Sequence, residues 1–183
     1  MIWWIILGLL VLIGLWMISI YNRLIKLRNR VSDQWAQVDV QLKRRSDLVP
    51  NLVETVKGYA KHEKETLNAV IEARNKFKKA DSQAEEIEAS GDLTRALSRL
   101  LMLSEAYPDL KANQNFLKLQ EDLGEIEEKI AFARQFYNDS VLTYKNKLEI
   151  FPSNIVAKMF KFEPRLFFEI DEADKKNPTV SFE

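Results

Sequence analysis

Apolar side chains fill the opening of the chain almost without a break: residues 1–22, "MIWWIILGLLVLIGLWMISIYN", carry no charged group. About 20 helical residues, each rising ~1.5 Å, match the roughly 30 Å hydrocarbon thickness of a bilayer. The run predicts a membrane-spanning helix. A cleaved signal peptide would want a basic start, a shorter apolar core and small residues before the cut, and none of the three is present. Trp3, Trp4, Trp16 and Tyr21 stand toward the two ends of the run, where amphipathic rings favour the interface. Gly8 and Gly14 do not make a small-xxx-small pattern, so the span offers no specific dimerisation signal.

After residue 22 the apolar positions become periodic. Val31, Trp35, Val38, Leu42, Val49, Val53, Val56, Ala60, Leu67, Val70 and Phe77 follow one another at helical spacing, and no Gly or Pro intervenes before Pro50. The spacing predicts that the membrane helix continues into the body as one rod. That rod is expected to stop where "ADSQAEEIEASGD" thins the stripe and Gly91 suits a left-handed turn. A shorter helix should then run from about Asp92, its N-cap, to Ala106. From about Leu110 to Phe151 a second long stripe passes in steps of three and four through Phe116, Leu119, Leu123, Ile126, Ile130, Ala133, Tyr137, Val141, Tyr144, Leu148 and Phe151, reaching about 60 Å as a helix.

Helices with one apolar stripe bury it by lying antiparallel against each other. The expected fold class is therefore all-α: an N-terminal transmembrane helix continuous with a long antiparallel helical bundle, whose stripes are also what a coiled-coil partner would read. Residues 1–22 form the anchor, 23–151 the bundle and 152–183 a tail. Pro152, Pro164 and Pro178 limit the tail to short helices and extended pieces, and Phe160, Phe162, Phe167 and Phe168 are expected to cover the open end of the bundle.

The formal net charge of +0 conceals an asymmetry. Residues 23–79 hold 14 Lys and Arg against 7 Asp and Glu, and the remainder carries the compensating negative excess. Either the two parts lie against each other or the basic part faces an anionic surface. Arg23, Lys26, Arg28 and Arg30 follow the span directly and no Lys or Arg precedes it, which orients the body to the cytoplasm and the N-terminus outward. The same four cations can engage anionic lipid headgroups at roughly 1 kcal/mol each. Nucleic acid is not an expected partner, because Asp33, Asp39, Asp47 and Glu54 interrupt the basic stretch.

Pro50 sits in the middle of "QLKRRSDLVPNLVETV" and cannot donate to the carbonyl of Ser46, a defect worth about 3 kcal/mol in a helix interior. Leu42, Val49, Val53 and Val56 nevertheless stay in phase across it, so the expectation is a kinked helix with that carbonyl turned toward water or a partner. Arg45 and Ser46 interrupt the apolar stripe. For Arg45, an ion pair with an acid of the opposing helix is preferred over a binding role, and Lys43 and Arg44 read as a solvated face.

Little catalytic chemistry is on offer. The chain has no cysteine, and His62 is its one histidine; "HEKET" carries Thr66 where a zinc helix needs a second imidazole. No Glu-x-x-His pair, glycine-rich phosphate loop or serine triad is present, so no catalytic residue, cofactor, metal or small-molecule substrate is expected.

The run "YNRLIKLRNRVSDQWAQVDVQLKRRSDLVPNLVETVKGYAKHEKETLNAVIEARNK", with the later "YPDLKANQNFLKLQ", "ARQFYND" and "FPSNIVAKMFKF", closely resembles the LemA family of bacteria from Tyr21 to about Phe182. The resemblance implies a single N-terminal span in the bacterial inner membrane, a cytoplasmic helical body, no established enzyme activity and a membrane-organising or adaptor role. The family's signature positions correspond here to Arg44, Arg45, Asp47, Pro50, Asn51, Glu54, Tyr59, His62, Glu63 and Glu65. They make this stretch a candidate contact surface for a protein partner or a second copy. Remodelling of anionic membranes by an ordered array is the alternative, and a metal-dependent hydrolase comes third.

Overall fold

The computed structural model describes residues 1–169, and every regular element among them is helical. The elements are α1 (Ile2–Tyr59), α2 (Lys64–Lys78), α3 (Gln83–Leu103), α4 (Pro108–Lys111), α5 (Gln114–Glu149) and α6 (Ser153–Met159), with a single 3-10 turn at Ser104–Ala106. The all-α class read from the stripes is the observed one. Of the expected tail, residues 170–183, including Pro178, lie outside the described residues.

Helix α1 is 58 residues long and passes through Pro50 without interruption. Its first part is long and apolar enough to cross a membrane, and among the described residues none of that window is buried. From Leu24 onward burial returns every seventh residue, at Leu24, Val31, Val38, Arg45 and Leu52. Helix α5 repeats the interval at Phe116, Leu123, Ile130, Tyr137 and Tyr144. A seven-residue interval keeps one side of a helix facing its neighbour along its length.

The chain divides into two compact units, and α1 and α5 contribute to both. One unit comprises, among the described residues, 39–132 with Phe168 and Glu169. Its core draws Val49, Leu52 and Val56 from α1, Leu67 and Val70 from α2, Leu93, Leu97 and Leu100 from α3, Leu110 from α4, and Phe116 and Leu123 from α5. Here the structure corrects the expected rod. Helix α1 ends at Tyr59, about twenty residues early, and α2 folds back along it, so that Arg74 of α2 meets the carbonyl of Ser46. The turn at 60–63 is held from outside: Tyr107 donates to Glu63 Oε1 (3.1 Å), Asn113 donates to the Tyr59 hydroxyl (2.8 Å), and Ala60 is fully buried.

Gly91 does not terminate a helix either. It lies inside α3, which begins at Gln83 with Ser82 as its N-cap, the Ser82 hydroxyl accepting from the Glu85 amide at 3.3 Å. Helices of 15 and 21 residues, followed by the one-turn α4, therefore stand between the long ones, in place of one from Asp92. The physical reason is burial: Ala89, Leu93, Ala96, Leu97 and Leu100 form one continuous inward face, which outweighs the ~1 kcal/mol helix cost of a glycine.

The other unit comprises residues 1–38 and 133–167. Tyr137 of α5 is fully buried, packs edge-on against Trp35 with ring centroids 5.3 Å apart, and donates its hydroxyl to the carbonyl of Leu166 at 2.6 Å. After α5 the Ser153 hydroxyl reaches the carbonyls of Lys147 (2.7 Å) and Ile150 (2.9 Å), closing the helix end. Helix α6 ends in a reversal in which Lys161 adopts φ 54°, with the Phe162 amide donating to Ala157 and the Lys161 amide to Lys158. The aromatic tail covers less than expected: Phe168 is buried and Phe162 and Phe167 are half-buried, but Phe160 stays 51% exposed.

Candidate interaction surface

Arg45 lies on the buried side of α1, where the seven-residue repeat would normally place an apolar side chain, and only 2% of it is exposed. An uncompensated charge at that depth costs several kcal/mol, so the charge must be compensated. Nη1 donates to Thr94 Oγ1 (2.8 Å) and to Glu127 Oε1 (3.0 Å), and Nη2 donates to the carbonyl of Ser90 (3.0 Å). Thr94 in turn donates back to that carbonyl at 3.0 Å. One guanidinium thereby joins α1, α3 and α5 in a fixed register. The ion pair with an acid of the acidic second half is the expected one, and it removes Arg45 from the solvent-facing candidates.

The carbonyl that Pro50 leaves without an amide donor is also accounted for. Arg74 Nε of α2 donates to Ser46 O at 3.0 Å, so neither water nor an outside partner is needed to satisfy it. The helix defect becomes an attachment point for α2. The sequence gives no indication of this pair, since an arginine on an amphipathic helix reads as solvated surface.

Arg44, Asp47, Asn51 and Glu54 are exposed and follow steps of three and four, which puts them on one ridge of α1 with Pro50 beside it. Glu54 pairs with Lys57 at 3.3 Å, an exposed contact of little energetic weight. Tyr59 and His62 are exposed where α1 gives way to the turn, and Glu63 is half-buried under Tyr107. The hydrogen bond and charge of Glu63 raise the Tyr107 pKa above the usual phenol value, so that hydroxyl remains a donor. Tyr107 and Asn113, absent from the sequence-level candidates, fix the end of the ridge. Asn113 also caps α5, its side-chain oxygen accepting from the Phe116 amide at 3.0 Å.

Beside the ridge, Lys43, Ser46, Asp47, Phe77, Ala80 and Glu86 line an open cleft of about 410 Å³. Burial raises the pKa of Glu86, and the neighbouring carboxylate of Asp39 adds to the rise while Lys43 opposes it. Lys43 is held by Asp39 at 2.6 Å, a hydrogen bond that raises its own pKa. Further along α3, Asp92 receives Lys76 at 2.7 Å, and that contact lowers its pKa. Among the described residues no group of three or more His, Asp or Glu side chains is arranged to hold a metal.

In the other unit Arg23, Lys26 and Arg30 are exposed just past the apolar run. Arg28 turns inward, its guanidinium 5.7 Å from the centroid of the Phe162 ring. Three of the four expected headgroup cations are thus open to solvent and one is engaged by the protein.

Comparison with known proteins places these residues in context. A family model described as "LemA family" matches residues 34–182. The chain is similar to "Protein LemA" of Metamycoplasma hominis, at 23% identity over 161 residues that cover 87% of this chain and 74% of the relative. It is also similar to "Magnetosome protein MamQ 2" and "Magnetosome protein MamQ 1" of Paramagnetospirillum magneticum, at 30% identity over 81 residues, 44% of this chain and 30% of each relative.

Proposed function

Since the chain belongs to the LemA family, we propose that it is a membrane-anchored helical scaffold or adaptor that presents a face of α1 to a membrane-protein partner or to a second copy. In this reading the apolar start of α1 spans the bilayer with the N-terminus outside, and the body stands in the cytoplasm. The observation that carries it is the ridge of Arg44, Asp47, Asn51 and Glu54 backed by contacts of the buried Arg45 and the half-buried Arg74. Arg45 locks the inner side of α1 to α3 and α5, and Arg74 ties it to α2, so the outward side is presented in one conformation. Preorganised surfaces bind with less ordering cost. Charged and amide side chains on such a ridge would confer orientation and selectivity more than raw affinity.

A second reading is an ordered array of these chains acting on anionic membrane, to which the exposed Arg23, Lys26 and Arg30 would be apposed. One experiment separates the two. A photoreactive residue at Arg44 or Asn51 is activated in native membranes, with Glu128 of α5 as the control position. The adaptor reading expects one discrete adduct with another membrane protein from the ridge positions alone. The array reading expects a ladder of multiples of the chain's own mass. Diffuse adducts from ridge and control alike would contradict both.

A further inference from the structure

Helix α6 is amphipathic in an unusual sense. Val156 and Ala157 face the body and are buried, whereas Ile155 and Met159, four apart on one side of the helix, are 56% and 53% exposed, and Phe151 just before the helix is 73% exposed. Phe160 extends the patch at 51% exposure, and Ile150 at 52%. Five large, exposed apolar side chains within eleven residues are a concentration of the kind that marks contact with a membrane or a partner.

Three observations identify the occupant. The patch lies at the height where the uncharged run of α1 ends: the ring of Phe160 is 4.8 Å from that of Tyr21, and Phe151 and Pro152 share a pocket of about 190 Å³ with Trp16 and Ile20. Two cations, Arg23 of α1 and Lys147 of α5, line the same pocket and stand beside the apolar side chains. Two more lysines, Lys158 and Lys161, are exposed along the same segment. Apolar side chains at the edge of a spanning helix, flanked by cations, have the composition of an interfacial membrane element.

We infer that residues 150–160 form a second membrane contact, lying in the interface of the cytoplasmic leaflet with Phe151, Ile155 and Met159 among the acyl chains and Arg23 and Lys147 at anionic lipid phosphates. The inference rests on the reading that the apolar start of α1 spans the bilayer. It adds a lipid-binding pocket and fixes how the emerging helix is held at the surface, because a helix gripped at two points cannot rotate freely about its axis.

The chain contains no cysteine, so single cysteines can be labelled cleanly in the full-length protein. Variants I155C and M159C, with L12C in the apolar run and S98C on α3 as references, are labelled with the fluorophore NBD. Each is reconstituted in nanodiscs of phosphatidylethanolamine and phosphatidylglycerol, and variants that lose the wild-type helical circular dichroism are replaced by F151C or I150C. The labels at 155 and 159 should be blue-shifted and should lose emission by more than about twofold to lipid carrying a shallow doxyl group, while position 98 stays unquenched. Labels at 155 and 159 as aqueous as that at 98, with position 12 quenched by deep doxyl lipid, overturn the inference and leave the anchor intact. An unquenched position 12 overturns the anchor reading itself. A blue shift at 155 that grows with protein concentration and ignores doxyl lipid shows a second copy on the patch, and also overturns it.

Discussion

Pro50 takes one amide proton out of α1, and a guanidinium from α2 stands in for it. Losing the replacement strands the Ser46 carbonyl, so Arg74→Ala should cost about 1–3 kcal/mol in urea unfolding. Pro50→Ala restores the intrahelical donor and removes the ring clash, so Arg74→Ala in that background should cost less than about 0.5 kcal/mol. Equal losses in both backgrounds would show that Arg74 acts through other contacts. Arg45 was legible at this scale because a cation inside an apolar stripe, opposite an acidic half-chain, has few alternatives to an ion pair. Arg74 was not, because sequence shows that a carbonyl is freed without showing which distant side chain reaches it.

At the scale of the elements, helix identity was plain and helix boundaries were not. Val56, Ala60, Leu67 and Val70 follow at steps of four, seven and three and so keep helical phase across the break at 60–63, and a pattern that sees only phase carries one helix through it. What ends α1 there is tertiary: Tyr107 and Asn113 take up Glu63 and Tyr59. Gly91 misled in the opposite direction, looking like a stop inside a helix that buries its whole face. Its placement has a consequence for stability. A Cβ at Gly91 would meet only Arg95 Nη1 at 3.8 Å, and one at Gly124 of α5 would meet nothing within 4 Å. Gly91→Ala and Gly124→Ala should therefore each stabilise the fold by about 0.5–1 kcal/mol, read as a higher midpoint in thermal or urea unfolding. A loss at position 91 would mean that α3 needs flexibility there.

At the scale of the whole molecule, the charge asymmetry of the sequence is expressed in specific contacts. Arg45 of the basic part meets Glu127 of the acidic part, and Lys76 meets Glu88 and Asp92. The scaffold reading depends on α1 leaving the bilayer as an unbroken helix that carries its ridge at a fixed orientation. The seven-residue return of burial from Leu24 to Leu52 is the structural form of that dependence. Hydrogen exchange by mass spectrometry on the full chain in nanodiscs tests it most directly. Amides from Ile18 to Val49 should show continuous protection, without a gap where the apolar run meets Arg23. A stretch between Asn22 and Arg30 exchanging at the rate of an unstructured chain would mean a flexible tether, and would contradict the account.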